Sequence, residues 1–429
     1  MRYFFAPMPA TGHVNPGLPI ARALVQRGHD VRWYSIPRFK KAIESIGARY
    51  VPFREGLVLD EEHFDTMFTD RPSGGLAQLR YDIKHIFVSA MPGMLRDCEE
   101  ELRREPADVI VGDNASAVAE AIHTKLGIPW AVYGITVLAL PSRDTAPFGL
   151  ALQPSSTPLG RLRNQLLYKL VDGVIFREAN EHNEKLRREA GLPPLGCSIF
   201  DFSRRADLYL QPSVPSFEYP RTDLPENLHF IGASIPAPPS EWQPPSWWGE
   251  LHGRRVVLVT QGTINNDYDQ LIRPAIRALS SEDVFVVVTT GSKPASEVGI
   301  SPLPWNVRVE RFIPYAHLMP HVDLLLTNGG YGSIQIALAH GVPVVAIGKT
   351  EEKPEIANRV QWSGAGLGLK VQKPSEARIR SAVAKVLDDP AYVARAQALA
   401  YELSGLDAAR TGADLLEELA GAEPLARSA

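Results

Sequence analysis

Apolar positions along this chain follow two alternating rhythms. Tyr3-Phe4-Phe5-Ala6 is a short unbroken apolar run, followed by a turn-rich stretch over residues 7–16. Leu18, Ile20, Ala21, Leu24 and Val25 then recur at helical spacing until Gly28, and Val31-Arg32-Trp33-Tyr34 reads as a second strand. A buried run, an amphipathic helix closed by glycine and another run make a βαβ unit, which implies a parallel sheet. Strands are predicted again at 108–111 and 130–133, on either side of the helical stretch AVAEAIHTKLG. Residues 57–104 and 159–190 are mostly helical in pattern.

The rhythm breaks from Gln211 to Glu250, where prolines crowd and a semi-rigid linker fits better than core structure. It then resumes: strands at 256–259, 284–289, 307–312, 323–326 and 342–347, a helix over 268–279, and helices from 374 to 420. The expected fold class is α/β, with two doubly wound, Rossmann-like parallel-sheet domains facing each other across a cleft. The boundaries expected are 1–212 for the first domain, 213–252 for the linker and 253–404 for the second domain. A helix and tail over 405–429 are free to pack back on the first domain.

Composition narrows the classes. At 429 residues the chain suits two domains of about 150–200 residues each. It is 45% hydrophobic and 22% charged, with a net charge of −4, so no global field favours nucleic acid or anionic membrane. Cys98 and Cys197 offer no disulfide framework and point to a reducing compartment. Residues 1–8 begin like an export signal, but Pro7, Pro9 and the glycines that follow break it. No run reaches about 18 apolar residues, so no membrane span is expected. A cytoplasmic soluble protein, monomer or homodimer, is the expectation.

The chemistry begins at TNGGYGSIQIALAHGVPVV, residues 327–345, where glycines separate a buried run from a helical pattern. Such a turn is either a plain positive-φ reversal or an anion site, because a helix mouth exposes unpaired N–H groups. Gly330-Tyr331-Gly332-Ser333-Ile334-Gln335 lacks the third glycine of a dinucleotide fingerprint, and no Gly-Lys-Ser/Thr phosphate loop occurs in the chain. A second loop, VTQGTINND at 259–267, also ends a strand with Gly262-Thr263, and two such loops can converge on one diphosphate. Asp267-Tyr268-Asp269 has a metal-binding spacing, but a helix cap by Asp267 is the simpler account. His317 and His321 could share a metal, though no further ligand cluster accompanies them. Trp242, Trp247 and Trp248 are expected to staple the linker to a domain, and the mixed charges over 161–188 read as a solvated helical face. Phe312 ends a strand as either a core aromatic or a stacking surface. His13 sits between a strand end and a helix start, where it either bonds the turn or faces the cleft.

VTQGT together with NVRVERFIPYAHLMPHVDLLLTNGGYGSIQIALAHGVPVV resembles the donor half of GT-B glycosyltransferases, more narrowly the family-1, macrolide and UDP-glycosyltransferase type. FAPMPATGHVNPGLPIARALVQRGHDV is similar to the acceptor half. The resemblance implies a nucleotide-diphosphate sugar bound by the C-terminal domain, an acceptor bound by the N-terminal domain, and chemistry between them. It implies His13 as catalytic base and Asp113 as the carboxylate orienting it. It also implies Gly262, Thr263, Phe312, Ile313, Asn328, Gly329, Gly330, Gly332 and Ser333 around the donor, with Phe312 stacking on a uracil or thymine ring. No metal and no cofactor beyond the UDP- or dTDP-sugar co-substrate is expected, since the positive helix end meets the diphosphate charge.

Some positions depart from the family pattern. Asn328 stands where histidine is usual, and Tyr315 replaces a glutamine near the base. Glu352-Lys353 falls where an Asp-Gln pair grips sugar hydroxyls; Lys353 either favours a charged or modified sugar or joins Glu351, Glu352 and Glu355 in an ion-paired loop. Met67, Phe87, Met91, Leu138 and Phe148 either wall an acceptor pocket or belong to the N-terminal core. The expected activity is inverting, metal-independent transfer of a hexose to a hydroxyl of an apolar small molecule. The alternatives are a GT-B epimerase or hydrolase, or a non-catalytic nucleotide-binding partner of a transferase.

Overall fold

The computed structural model describes residues 1–58, 67–72, 75–238, 241–262, 267–291, 293–349 and 352–421. Thr263 and Glu351 therefore lie outside the described residues.

Seven parallel strands form the first sheet: β1 (Arg2–Phe5), β2 (Asp30–Ser35), β3 (Arg49–Pro52), β4 (Val109–Asp113), β5 (Trp130–Tyr133), β6 (Leu208–Gln211) and β7 (Leu228–Phe230). Their order is β3-β2-β1-β4-β5-β6-β7. Six more form the second sheet: β8 (Val256–Thr260), β9 (Phe285–Thr289), β10 (Val307–Glu310), β11 (Leu324–Thr327), β12 (Val344–Ile347) and β13 (Gly366–Leu369), ordered β10-β9-β8-β11-β12-β13. Helices cover both faces of each sheet, which is why the strands read as unbroken apolar runs rather than alternating ones. In β1, Phe4 joins Tyr34 and Trp130 on one face while Tyr3 and Phe5 join Trp33 and Val109 on the other. Burying each such side chain contributes about 1.5–3 kcal/mol.

Sequence order reverses at one place in each sheet. In the first it lies between β1 and β4, in the second between β8 and β11. Crevices beyond the carboxyl ends of strands at such switch points are where open α/β sheets bind ligands.

Several expectations shift. The stretch read as linker contains β7, which pairs in parallel with β6, so the first sheet continues past residue 212. The helix predicted from residue 268 begins at Ile272 with Leu271 as its N-cap, so Asp267 does not cap it. Instead Asp267 Oδ1 accepts the Asp269 N–H at 3.2 Å, closing a turn ahead of the helix. Burial works against the Asp267 carboxylate, but bonds from Lys373 and Gln270 outweigh it and hold it below the usual carboxylate range. Trp242, Trp247 and Trp248 do pack the linker onto the second core. Trp242 stacks on His317 with centroids 4.9 Å apart, and Trp248 meets His321 edge-on at 5.5 Å. These imidazoles are thus engaged with indoles, and no group of metal-ligating side chains is found among the described residues.

The final helix, Ala408–Gly421, packs against the helix Leu18–Gln26 of the first domain. A Cβ on Gly412 would stand 3.1 Å from Ile20, so glycine allows the close approach. Arg27 pairs with Asp414 at 2.7 Å and with Glu417 at 2.6 Å. Among the described residues, no helix is long and apolar enough to cross a membrane.

Candidate active site

Both switch points open onto one cavity of about 1700 Å³, lined from the first domain and the second alike. His13 lines it from the short helix Thr11–Val14 that follows β1. Asp113 ends the neighbouring strand β4, fully buried, and its Oδ2 lies 3.2 Å from His13 Nδ1. That separation suits an ion pair once the imidazole carries a proton. Such contacts commonly tighten only when substrate binds. The carboxylate is itself fixed by the Met8 and Ala115 N–H groups, each at 2.7 Å.

Tyr133, at the end of β5, donates its hydroxyl to the His13 carbonyl at 2.7 Å. Burial pushes this phenol well above its ordinary range, so it remains a donor. Residue 13 is thereby held from both sides: its side chain by β4 and its backbone by β5. Phe87 completes the setting, its ring 6.0 Å from the imidazole.

Across the cavity, Gly262 follows β8 with φ +78°, and the Asn328–Ser333 turn follows β11. Gly330 is the N-cap of the helix Tyr331–Ala339, so that helix mouth faces the cavity. Gly329 lies beneath the turn at φ +90°, and a Cβ there would meet Lys353 Cβ at 3.3 Å, so conformation and space both demand glycine. Asn328 joins the two loops: its Nδ2 donates to the Gln261 carbonyl at 2.5 Å, leaving Oδ1 buried. Ser333 Oγ donates to the Gly330 carbonyl at 2.9 Å. Glu352 and Lys353 reach the same cavity.

Phe312 is 59% exposed at the rim, which excludes a core role for it. Ile313 buries its side chain in the second core while still contributing to the lining. Tyr315 also lines the cavity, its hydroxyl 3.4 Å from Thr289 Oγ1. Burial raises its phenol above the ordinary value.

Of the five residues expected to wall an acceptor pocket or join the core, Phe87 and Phe148 line the cavity. Met91 and Leu138 do not: they are 2% and 1% exposed and belong to the first-domain core. Met67 is 38% exposed and outside the lining. The sequence reading missed Phe176, which lies in the stretch taken as a solvated helical face, and Phe200 and Phe202 beyond it; all three wall the cavity. It also missed Gln261, 1% exposed, whose Nε2 donates to the Asp267 carbonyl at 2.7 Å and whose Oε1 accepts the Ile272 N–H. A lone buried-looking glutamine at a strand end was the available signal.

Two parallel-sheet, Rossmann-like domains whose switch points share one cleft define the GT-B class. Residues 275–413 match the family described as erythromycin biosynthesis protein CIII-like, C-terminal domain. The chain is 44% identical to 4'-demethylrebeccamycin synthase of Lentzea aerocolonigenes, over 97% of this chain and 99% of that one. It is 33% identical to UDP-glycosyltransferase 2 of Phaeomoniella chlamydospora, over 97% and 95% of the two chains. Among solved structures it resembles the calicheamicin glycosyltransferase CalG4, with TM-score 0.76, 22% identity and 98% of each chain covered. The chain belongs to this glycosyltransferase family and is an enzyme of the GT-B fold.

Proposed function

We propose that the enzyme is an inverting glycosyltransferase that moves a hexose from a UDP- or dTDP-sugar to a hydroxyl of an apolar small molecule. The observation that carries this reading is the His13–Asp113 pair facing the Asn328–Ser333 helix mouth across one cavity. With Nδ1 turned to Asp113, the other ring nitrogen is the one to take the acceptor proton. The acceptor oxygen then bonds to the anomeric carbon as the bond to the diphosphate breaks, and the diphosphate leaves with the electron pair. Asp113 stabilises the imidazolium that results. Attack opposite the leaving group turns an α-linked donor into a β-linked product.

The departing charge meets the N–H groups of residues 330–333 and the positive end of their helix, so the reading needs no divalent ion. The base ring rests on Phe312, and Glu352 and Lys353 contact the sugar. The aromatic lining, Phe87, Phe148, Phe176 and Phe200, suits a natural-product or phenolic aglycone. The names of relatives support this: one solved neighbour, the rhamnosyltransferase SpnG, is described in complex with thymidine diphosphate (TM-score 0.70, 18% identity, 98% and 100% of the two chains covered).

Replacing His13 by Ala tests the assignment. Turnover should fall ~10²–10⁴-fold, the usual contribution of a general base, with nucleotide affinity preserved. Near-normal turnover would remove His13 from the reaction. Incubating the wild type with UDP-sugar alone separates the epimerase or hydrolase alternative, which would consume donor without acceptor; the paired imidazole and carboxylate argue against it.

A further inference from the structure

The loop over residues 138–151 belongs to the first domain by sequence, yet its far end is held by the second. Glu355, on the helix Lys353–Ser363, accepts the Gly149 N–H at 3.0 Å and the Ala151 N–H at 2.6 Å on the same oxygen. Asn358, one turn further along, donates to the Ala151 carbonyl at 2.6 Å, and Lys370 donates to it at 3.0 Å. Ala151 carries φ +49°, an unfavourable region for a residue with a Cβ, so these bonds hold a conformation the loop would not choose alone.

The near end of the loop is tied to the same helix. Arg359 pairs with Glu355 through its Nη1, and its Nε lies 3.5 Å from Glu218 Oε2. Glu218 in turn accepts the Leu138 N–H at 2.9 Å. Arg221 donates to the carbonyls of Leu138 and Leu140. Glu218, Glu355 and Arg359 are each 2–3% exposed, so this is a dry carboxylate–guanidinium–carboxylate chain. A buried ion cluster of this kind adds little net stability over apolar packing, but removing one member leaves its partners uncompensated. Its distinctive effect is geometric: it fixes both ends of one loop to one helix. That helix begins at Lys353, and the loop puts Phe148 and Gly149 into the cavity wall.

We propose that Glu355 is a positioning residue for acceptor recognition, mounting the 148–151 wall of the acceptor chamber on the donor domain so that the wall and the sugar-binding helix move as one piece. The proposal rests on the donor and acceptor assignments above and deepens them. Acceptor fit is then set partly by the position of the donor domain, and a change in the sugar contacts at 352–353 is felt at Phe148.

The test uses the full chain, with UDP as nucleotide probe, quercetin as apolar phenolic probe, and hydrogen exchange at Gly149 and Ala151. Glu355→Ala should weaken quercetin binding about tenfold, leave UDP affinity within about twofold, and strip exchange protection from the 149–151 amides. Glu355→Gln keeps an acceptor oxygen and should recover most of the loss. Should Glu355→Ala fold poorly, Asn358→Ala removes one bond to the same loop and should show the same split at smaller amplitude. Unchanged protection at 149–151, or a parallel fall of both affinities, would overturn the positioning role. A wild-type chain that binds neither UDP nor dTDP would instead overturn the donor reading, and this proposal with it.

Discussion

Asn328 occupies the point where the loops after β8 and β11 meet, and its amide donates to the Gln261 carbonyl. An amide ties the loops without carrying charge. Affinity for a UDP-sugar, whose esterified diphosphate does not titrate near neutrality, should therefore be nearly flat across about pH 6–8. Asn328→His should introduce a slope: binding strengthened below about pH 6.5 and weakened above it, by several-fold, because a cation favours the diphosphate only while protonated. Calorimetric titration of a UDP-sugar at several pH values reads this, and a wild-type profile following one imidazole would contradict it. The places of His13, Asp113 and the 328–333 turn near strand ends were legible in the sequence because each follows an apolar run, whereas their expected roles came from the family resemblance. For Met91 and Leu138 the sequence left pocket wall and core both open, because an apolar residue in a covered helix or loop reveals its hydrophobicity but not its direction; the structure places both in the core.

Direction is set at the scale of the element. Phe87 and Met91 stand four apart and would share a face on a regular α-helix. Residues Ile83–Val88 instead form a wider π-helical turn leading into the helix Ser89–Arg104, which shifts the phase between them. Phe87 consequently reaches the cavity and Met91 the core. The helix is anchored by Asp97, which accepts the Tyr34 hydroxyl at 2.6 Å and the N–H groups of Arg54, Glu55 and Gly56 at 2.9, 3.0 and 3.1 Å. Burial opposes ionisation of Asp97, but these donors outweigh it and hold its carboxyl below the ordinary value. A lowered folded-state pKa adds stability that is present above the unfolded value near ~3.9 and lost as pH falls through the folded one. Asp97→Ala should cost about 1–3 kcal/mol by stranding these donors, and should flatten the acid limb of the stability curve. Denaturant melts at pH 7 and pH 3 provide the check. An unchanged midpoint at pH 7 would remove Asp97 as the anchor of the element carrying Phe87.

For the whole molecule, domain contact matters as much as either sheet. Tyr331, the first residue of the helix Tyr331–Ala339, donates to the Pro212 carbonyl at 3.2 Å and accepts from Gln211 Nε2 at 3.2 Å, both in the first domain. The final helix returns to close the first domain. A nucleotide bound at the second domain should therefore stabilise the chain as a unit: UDP or dTDP at 100 times its Kd adds ~2.7 kcal/mol. In buffer containing EDTA, one of the two should raise the melting temperature in a single transition. A shift that appears only with added divalent metal would contradict a helix-held diphosphate. The sequence by itself determined two α/β domains and the glycine turns at their strand ends, because these depend on apolar periodicity and backbone conformation that local residues dictate; the family was legible through the resemblance of its motifs. Only tertiary structure decided that the presumed linker supplies β7, that Phe176, Phe200 and Phe202 face the cavity, and that an N-terminal loop is held by a C-terminal helix. Those outcomes depend on where distant segments meet, and a side chain's partner two hundred residues away leaves no period in the chain to read.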